Sequence, residues 1–149
     1  MIQRKQTLFL LAAIIATVVC LCLPIGTFEP KGMGVTPLWY NLGTMTGGKF
    51  QAHIVPFVFL ALGVVLSLAA IYMYKNRKAQ ARICSFAILM ALAWYVYYCI
   101  AALSTFQSLG TFHPKFAACL PLVAIIFLVL ARKGIKDDEE LVKSMDRIR

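Results

Sequence analysis

Four apolar stretches, at residues 6–25, 53–74, 83–106 and 115–131, dominate the chain and leave few folds open to it. A helix needs about 20 mostly apolar residues to cross the hydrocarbon core of a bilayer. The middle two stretches reach that length. The first and last hold somewhat shorter fully apolar runs, a shortfall that small tilts and flanking residues absorb. Charged residues make up only 14% of the 149-residue sequence, against about a quarter in soluble domains, and they are gathered into clusters. The pattern predicts an all-α membrane protein, with a four-transmembrane-helix bundle over 1–131 and a charged tail over 132–149.

The first stretch has the basic start (Arg4, Lys5) and apolar middle of a signal peptide. It runs on to Pro24 without an A-x-A-like cleavage site, and Cys20 and Cys22 follow Val19 and Leu21 rather than the small residue that lipoprotein processing needs. The segment is therefore expected to be retained. Charge then sets the orientation. Twelve of the fifteen Lys/Arg residues fall at the two termini and in the loop "KNRKAQAR" (75–82); only Lys31, Lys49 and Lys115 fall on the other side. Basic short loops stay in the cytoplasm, so both termini and residues 75–82 are expected inside. The formal net charge of +9 is accounted for by this signal and by attraction to anionic membrane lipids. No nucleic-acid-binding module accompanies it, and no nucleic-acid partner is expected.

The first outer loop, 26–52, carries six of the nine glycines together with Pro30 and Pro37. Its Gly47-Gly48 pair separates "PLWYNLGTMT" from "KFQ", the spacing of a two-residue hairpin turn, so a small β-hairpin is expected there, with an irregular loop as the alternative. The second outer connection, Gln107–Pro114, has room for a tight turn only. Small residues four apart (Ala12/Ala16, Gly63/Ser67, Ala87/Ala91) offer flat faces for helix contact. Pro121 lies inside the fourth stretch and cannot donate to the carbonyl of Ala117, which predicts a bend.

An absence bears most on chemistry. No Asp, Glu, Lys, Arg or His lies in the central part of any span, which argues against a proton-coupled transporter or pump. The run "WYVYYC" (94–99) puts aromatic residues in mid-membrane. Trp94/Tyr98 and Tyr95/Tyr98 are spaced four and three apart and share neighbouring faces. Aromatic packing within the bundle is the plain reading; the sharper one is an intramembrane groove for a lipid, quinone or other apolar ligand, lined by Trp94, Tyr95 and Tyr98. The five cysteines show neither C-x-x-C nor metal-ligand spacing and are expected as free thiols. His53, His113 and Glu29 would suit zinc or acid–base chemistry if they met, but their spacing is loose. No phosphate loop, nucleophile elbow or metalloprotease signature occurs. No catalytic residue, metal or cofactor is expected, and the chain does not read as an enzyme.

The tail holds six Lys/Arg and five Asp/Glu in eighteen residues. Gly134 is expected to end the fourth helix, and Asp137 or Asp138 to cap a new one. Its acids come first and its bases last, which suits the helix dipole, and Glu139/Lys143 form an i, i+4 pair. Leu141, Val142, Met145 and Ile148 form one apolar stripe. A helix of about twelve residues is marginal alone in water and needs a surface to rest on. The nearly balanced charge favours docking to a protein partner over a purely electrostatic membrane anchor.

The two ends of the chain, "MIQRKQTLFLLAA" and "ARKGIKDDEELVKSMDRIR", resemble those of a small family of four-pass membrane proteins from Bacteroidota with no assigned activity. The resemblance implies a bacterial inner-membrane location and supplies no substrate or catalytic residue. At the level of fold, four spans and a hairpin carrying "PLWYN" in the first outer loop also resemble claudin-like tetraspan proteins, though here that loop lacks a cysteine pair. The functional expectation is a non-enzymatic accessory or scaffold subunit of a membrane protein complex. The alternative is a binder or carrier of lipid, quinone or another hydrophobic ligand.

Overall fold

A computed structural model describes residues 3–30, 34–105 and 111–147. Four helices carry the apolar stretches: α1 (Gln3–Cys22), α2 (Ile54–Tyr72), α3 (Arg77–Ile100) and α4 (Leu120–Arg147). All four are long and apolar enough to cross a membrane. They close a ring in which α1 and α3 each lie against both α2 and α4. Small side chains let them approach: Ala13, Ala70, Ala81, Ala87, Ala91, Ala124 and Ala131 are buried, with Leu10, Leu128 and Ile135 filling between them. Such close contact is the main source of helix association where the surroundings are as apolar as the helix faces. Ser67 is buried beside Gly63, its hydroxyl donating to the Gly63 carbonyl at 2.8 Å.

One end of the ring is capped by a five-stranded antiparallel sheet, larger than the expected hairpin. Its strands are β1 (Gly26–Glu29), β2 (Leu38–Tyr40), β3 (Gly43–Thr46), β4 (Lys49–Ala52) and β5 (Thr111–Pro114), in the order β4-β3-β2-β1-β5. The hairpin stands where Gly47-Gly48 put it, between β3 and β4, with Thr46 opposite Lys49. Both turn glycines have positive φ, 54° and 83°, as a turn matching the twist of the strands requires. Gly43 is needed for a different reason: a Cβ there would collide with the backbone carbonyl of Gln51 on β4.

Three expectations are corrected. The second outer connection is not only a tight turn: its residues 111–114 form β5, which pairs with β1 through Gly26↔Pro114, Thr27↔His113, Phe28↔Phe112 and Glu29↔Thr111. The remainder of that connection, 107–110, lies outside the described residues. Pro121 does not bend a helix from within. A short 3₁₀ turn over Phe116–Cys119 precedes it and α4 starts at Leu120, so Pro121 sits in the first turn, where its missing N–H has no partner to lose. Gly134 does not end the fourth helix either. α4 runs unbroken to Arg147, and the tail is its continuation rather than a separate capped helix.

Gly47 and Gly48 are held at positive φ in open space, with nothing within 4 Å of where a Cβ would stand, so a substitution there acts through the backbone alone. Replacing both by Ala forces left-handed backbone on two Cβ-bearing residues, at roughly 1–2 kcal/mol each. Amide hydrogen exchange should quicken in β3 and β4 of that variant and stay unchanged in α1–α4.

Candidate functional site

The sheet meets the bundle through one column of rings. Trp94 and Tyr98, one turn apart on α3, stack at 5.0 Å and 14°; Trp39 of β2 stacks on the other face of Tyr98 at 5.1 Å and 10°. Phe112 of β5 meets Trp39 and Tyr98 edge-on at 5.9 and 5.8 Å, and Phe28 of β1 packs on Trp39 at 6.0 Å. Trp39, Trp94 and Phe28 are fully buried, and Tyr98 nearly so.

Trp94, Tyr95 and Tyr98 all spend their polar atoms on partners within the protein. Asn41, just after β2, is buried between α1 and α3. Its amide nitrogen donates to the Cys20 carbonyl at 2.7 Å, and its amide oxygen accepts from Trp94 Nε1 at 2.8 Å. Cys20 lies in the last turn of α1, where helix carbonyls have no partner of their own. Tyr98 donates to the Ile25 carbonyl at 3.0 Å, and Tyr95, half-buried, to the Ala118 carbonyl at 2.7 Å. The Ile25 carbonyl also accepts from the Lys115 amide, so one peptide group ties β1, α3 and the start of the fourth segment.

The groove expected at Trp94, Tyr95 and Tyr98 is thus occupied by the protein's own rings and carbonyls. A small-molecule site usually needs about 300 Å³ or more. The cavity where the four helices meet, lined by Thr17, Leu60, Ser67, Ala91 and Pro121 among others, holds about 10 Å³, room for one water.

The histidines and Glu29 do not assemble. His113 Nε2 lies 3.4 Å from Glu29 Oε2 on exposed neighbouring strands at one sheet edge. His53 follows β4 at the opposite edge, four strand spacings away, or about 19 Å. Among the described residues, no three His, Cys, Asp or Glu side chains come together as a metal site needs. All five cysteines are free thiols.

The other end of the molecule carries the surface most suited to recognition. Along α4 the positions facing the bundle are Leu128, Ala131, Ile135 and Asp138, spaced three and four apart. The same spacing continues at Val142 and Met145, with Leu141 beside them, but here the stripe is bare: Leu141 is 53%, Val142 44% and Met145 71% exposed. Ile148 lies outside the described residues. The extension is braced where it leaves the bundle. Asp138 is buried; its carboxylate accepts from Gln6 Nε2 of α1 at 2.6 Å, and its backbone carbonyl from the Arg77 guanidinium of α3 at 2.7 Å. Gly134 lets Gln6 come close, since a Cβ there would lie 3.2 Å from Gln6 Cγ. The exposed Lys143 pairs with the half-buried Glu139 at 2.9 Å.

Sequence reasoning missed Asn41, Gln6 and the burial of Asp138. Only a polar residue set amid the apolar and aromatic run "PLWYNLG" hinted at the first. The other two depend on partners 132 residues apart.

Over residues 2–148 the chain matches the model of a family described as "Domain of unknown function (DUF4293)". No curated protein matches it.

The Asn41 amide satisfies two buried groups at once, the Cys20 carbonyl and the Trp94 indole N–H. Replacing it by Leu strands both, at about 1–3 kcal/mol each. Thermal unfolding of detergent-solubilised Asn41→Leu should show a melting point several degrees below that of the parent chain. Tyr98→Phe, which removes one hydroxyl and keeps the stacked ring, should lower it less.

Proposed function

Because the chain belongs to that family, whose function is undefined, no activity passes to it from relatives, and we propose from its own geometry that it is a non-catalytic scaffold or accessory subunit of a protein complex in the bacterial inner membrane. The observation that carries this reading is the bare stripe Leu141–Val142–Met145 on a helix continuous with the bundle. An apolar stripe held on a braced helix suits the groove of a partner helix or domain, because little order has to be gained on binding. The polar residues beside it, Asp137, Glu140 and Ser144, border a shallow open depression that adds specificity at the rim.

The proposed orientation follows the charge. The end with residues 75–82 and the α4 extension carries most of the Lys/Arg and faces the cytoplasm, and the sheet faces outward. In this arrangement the sheet serves as a rigid outer cap and α4 as the inner docking arm. The carrier alternative has less behind it: the aromatic faces are stacked on one another and the central cavity is one water in size.

Affinity purification from native membranes tests the reading. The intact protein should recover a stoichiometric protein partner. The triple variant Leu141→Ser, Val142→Ser, Met145→Ser should recover at least tenfold less, since losing even one buried apolar anchor costs about 1–2 kcal/mol or more. Recovery of no stoichiometric partner by the intact chain, or equal recovery by the variant, contradicts the reading.

A further inference from the structure

The bare stripe lies on the side of α4 that the bundle fills one turn higher. At about 100° per residue, Ala131, Ile135, Val142 and Met145 all fall within about 60° of Asp138 around the helix. Ala131, Ile135 and Asp138 are buried, whereas Val142 and Met145 are exposed. Gln6 of α1 and Arg77 of α3 both reach Asp138 on this side. Beyond that level the same side is open, and the ends of α1 and α3 stand over it. The stripe is one wall of a corner, with the bundle as its roof.

The corner has a definite height. α4 runs nine residues past Asp138, to Arg147, which is about 14 Å. α1 begins at Gln3, three residues before Gln6, and runs alongside for about 5 Å of that length. About 9 Å of bare helix is left, close to the width of roughly 10 Å of a single helix. A helix laid across α4 fits that height; a long helix running along it does not.

The roof limits what can enter. A membrane-spanning helix that continued straight onto the stripe would need the place that α1 and α3 hold against α4. This excludes the α4 of a second copy. Two copies in one membrane point the same way, so its span would collide with the bundle. The occupant has to arrive from the open end, as a segment that does not span the membrane.

Charge limits its chemistry. This end of the chain holds twelve Lys/Arg against five Asp/Glu, a net charge of +7. Lys5, in the first turn of α1, and Lys75, just before α3, are exposed and belong to no ion pair among the described residues. Two of the five acids are already engaged, Asp138 by Gln6 and Glu139 by Lys143. Complementary potentials speed encounter and suppress wrong partners, so the segment that suits this corner is acidic as well as amphipathic.

We propose that the corner beneath α1 and α3 takes a short acidic amphipathic helix of a cytoplasmic protein. That helix lies across α4, its apolar face on Leu141, Val142 and Met145 and its acids towards Lys5 and Lys75. The inference rests on the docking reading above and on its orientation. It adds the class of partner: a soluble segment, not another span.

The test is photo-crosslinking in the native cells with p-benzoylphenylalanine in place of Met145, an exposed position, and sequencing of the cross-linked peptide by mass spectrometry. The expected adduct is a peptide of a cytoplasmic protein, net negative, with apolar residues three and four apart. The same probe at Leu141 should capture the same peptide. At Lys143, about 160° round the helix from Met145, it should give at least fivefold less. In inverted membrane vesicles the yield should fall several-fold between about 0.1 and about 1 M salt, as the charges are screened. An adduct to a membrane span, to a basic segment, to a second copy or to this chain's own termini overturns the proposal, and so does the absence of a protein adduct. A span or basic segment of a partner that purification recovers stoichiometrically leaves the scaffold reading standing. No adduct together with no recovered partner removes both.

Discussion

The buried amide of Asn41 is the point at which the two parts of the molecule become one. A sheet strand and two helices converge there, and each helix brings a polar group that has no local partner. The Cys20 carbonyl is an unpaired group of α1's last turn, and the Trp94 indole N–H is a donor on the buried face of α3. A side chain with both an acceptor and a donor, set at the turn after β2, answers both. The bond directions also fix which way the amide is turned. With that point fixed, Trp39 is held over Tyr98, and Tyr98 over Trp94, so the aromatic column follows from the same placement.

The opposite end solves a similar problem with different residues. There α4 outruns the ring, and a helix that leaves its neighbours tends to fray. Asp138 turns inward, takes a hydrogen bond from Gln6 and offers its carbonyl to Arg77, so α1, α3 and α4 are joined within one turn of the exit. Burying a carboxylate is unfavourable unless it is hydrogen-bonded, and Gln6 supplies that bond without a countercharge. The exposed stripe beyond is thereby presented on an anchored helix rather than a loose tail, which is what the proposed docking role requires.

Much of this plan was legible in the sequence, and the parts that were not share a cause. The four helices followed from apolar length, and the β3–β4 turn from Gly47-Gly48, because both signals are local. β5 was missed because its partner β1 lies more than eighty residues earlier in the chain, so no local pattern marks "TFHP" as a strand. Gly134 looked like a helix end because glycine costs about 1 kcal/mol inside a helix. Here the missing side chain makes room for Gln6, a contact no local pattern reveals. Pro121 looked like a kink because the apolar stretch began earlier than the α-helix does; the 3₁₀ turn before it moved the helix start. The aromatic run 94–99 read correctly as unusual, but whether it faced a ligand or the protein depended on Trp39 and Phe112, both distant in sequence.

The sheet is locked to the bundle at Asn41, and the Trp94 indole proton reports on that lock directly. The chain has only two tryptophans, so ¹⁵N-indole labelling gives two resolvable N–H signals, assignable by Trp94→Phe. The Trp94 signal should exchange with solvent deuterium as slowly as the most protected backbone amides of α3. It should become fast in Asn41→Ala. Fast exchange of the Trp94 indole in the parent chain, or exchange that does not change when Asn41 is replaced, contradicts the account.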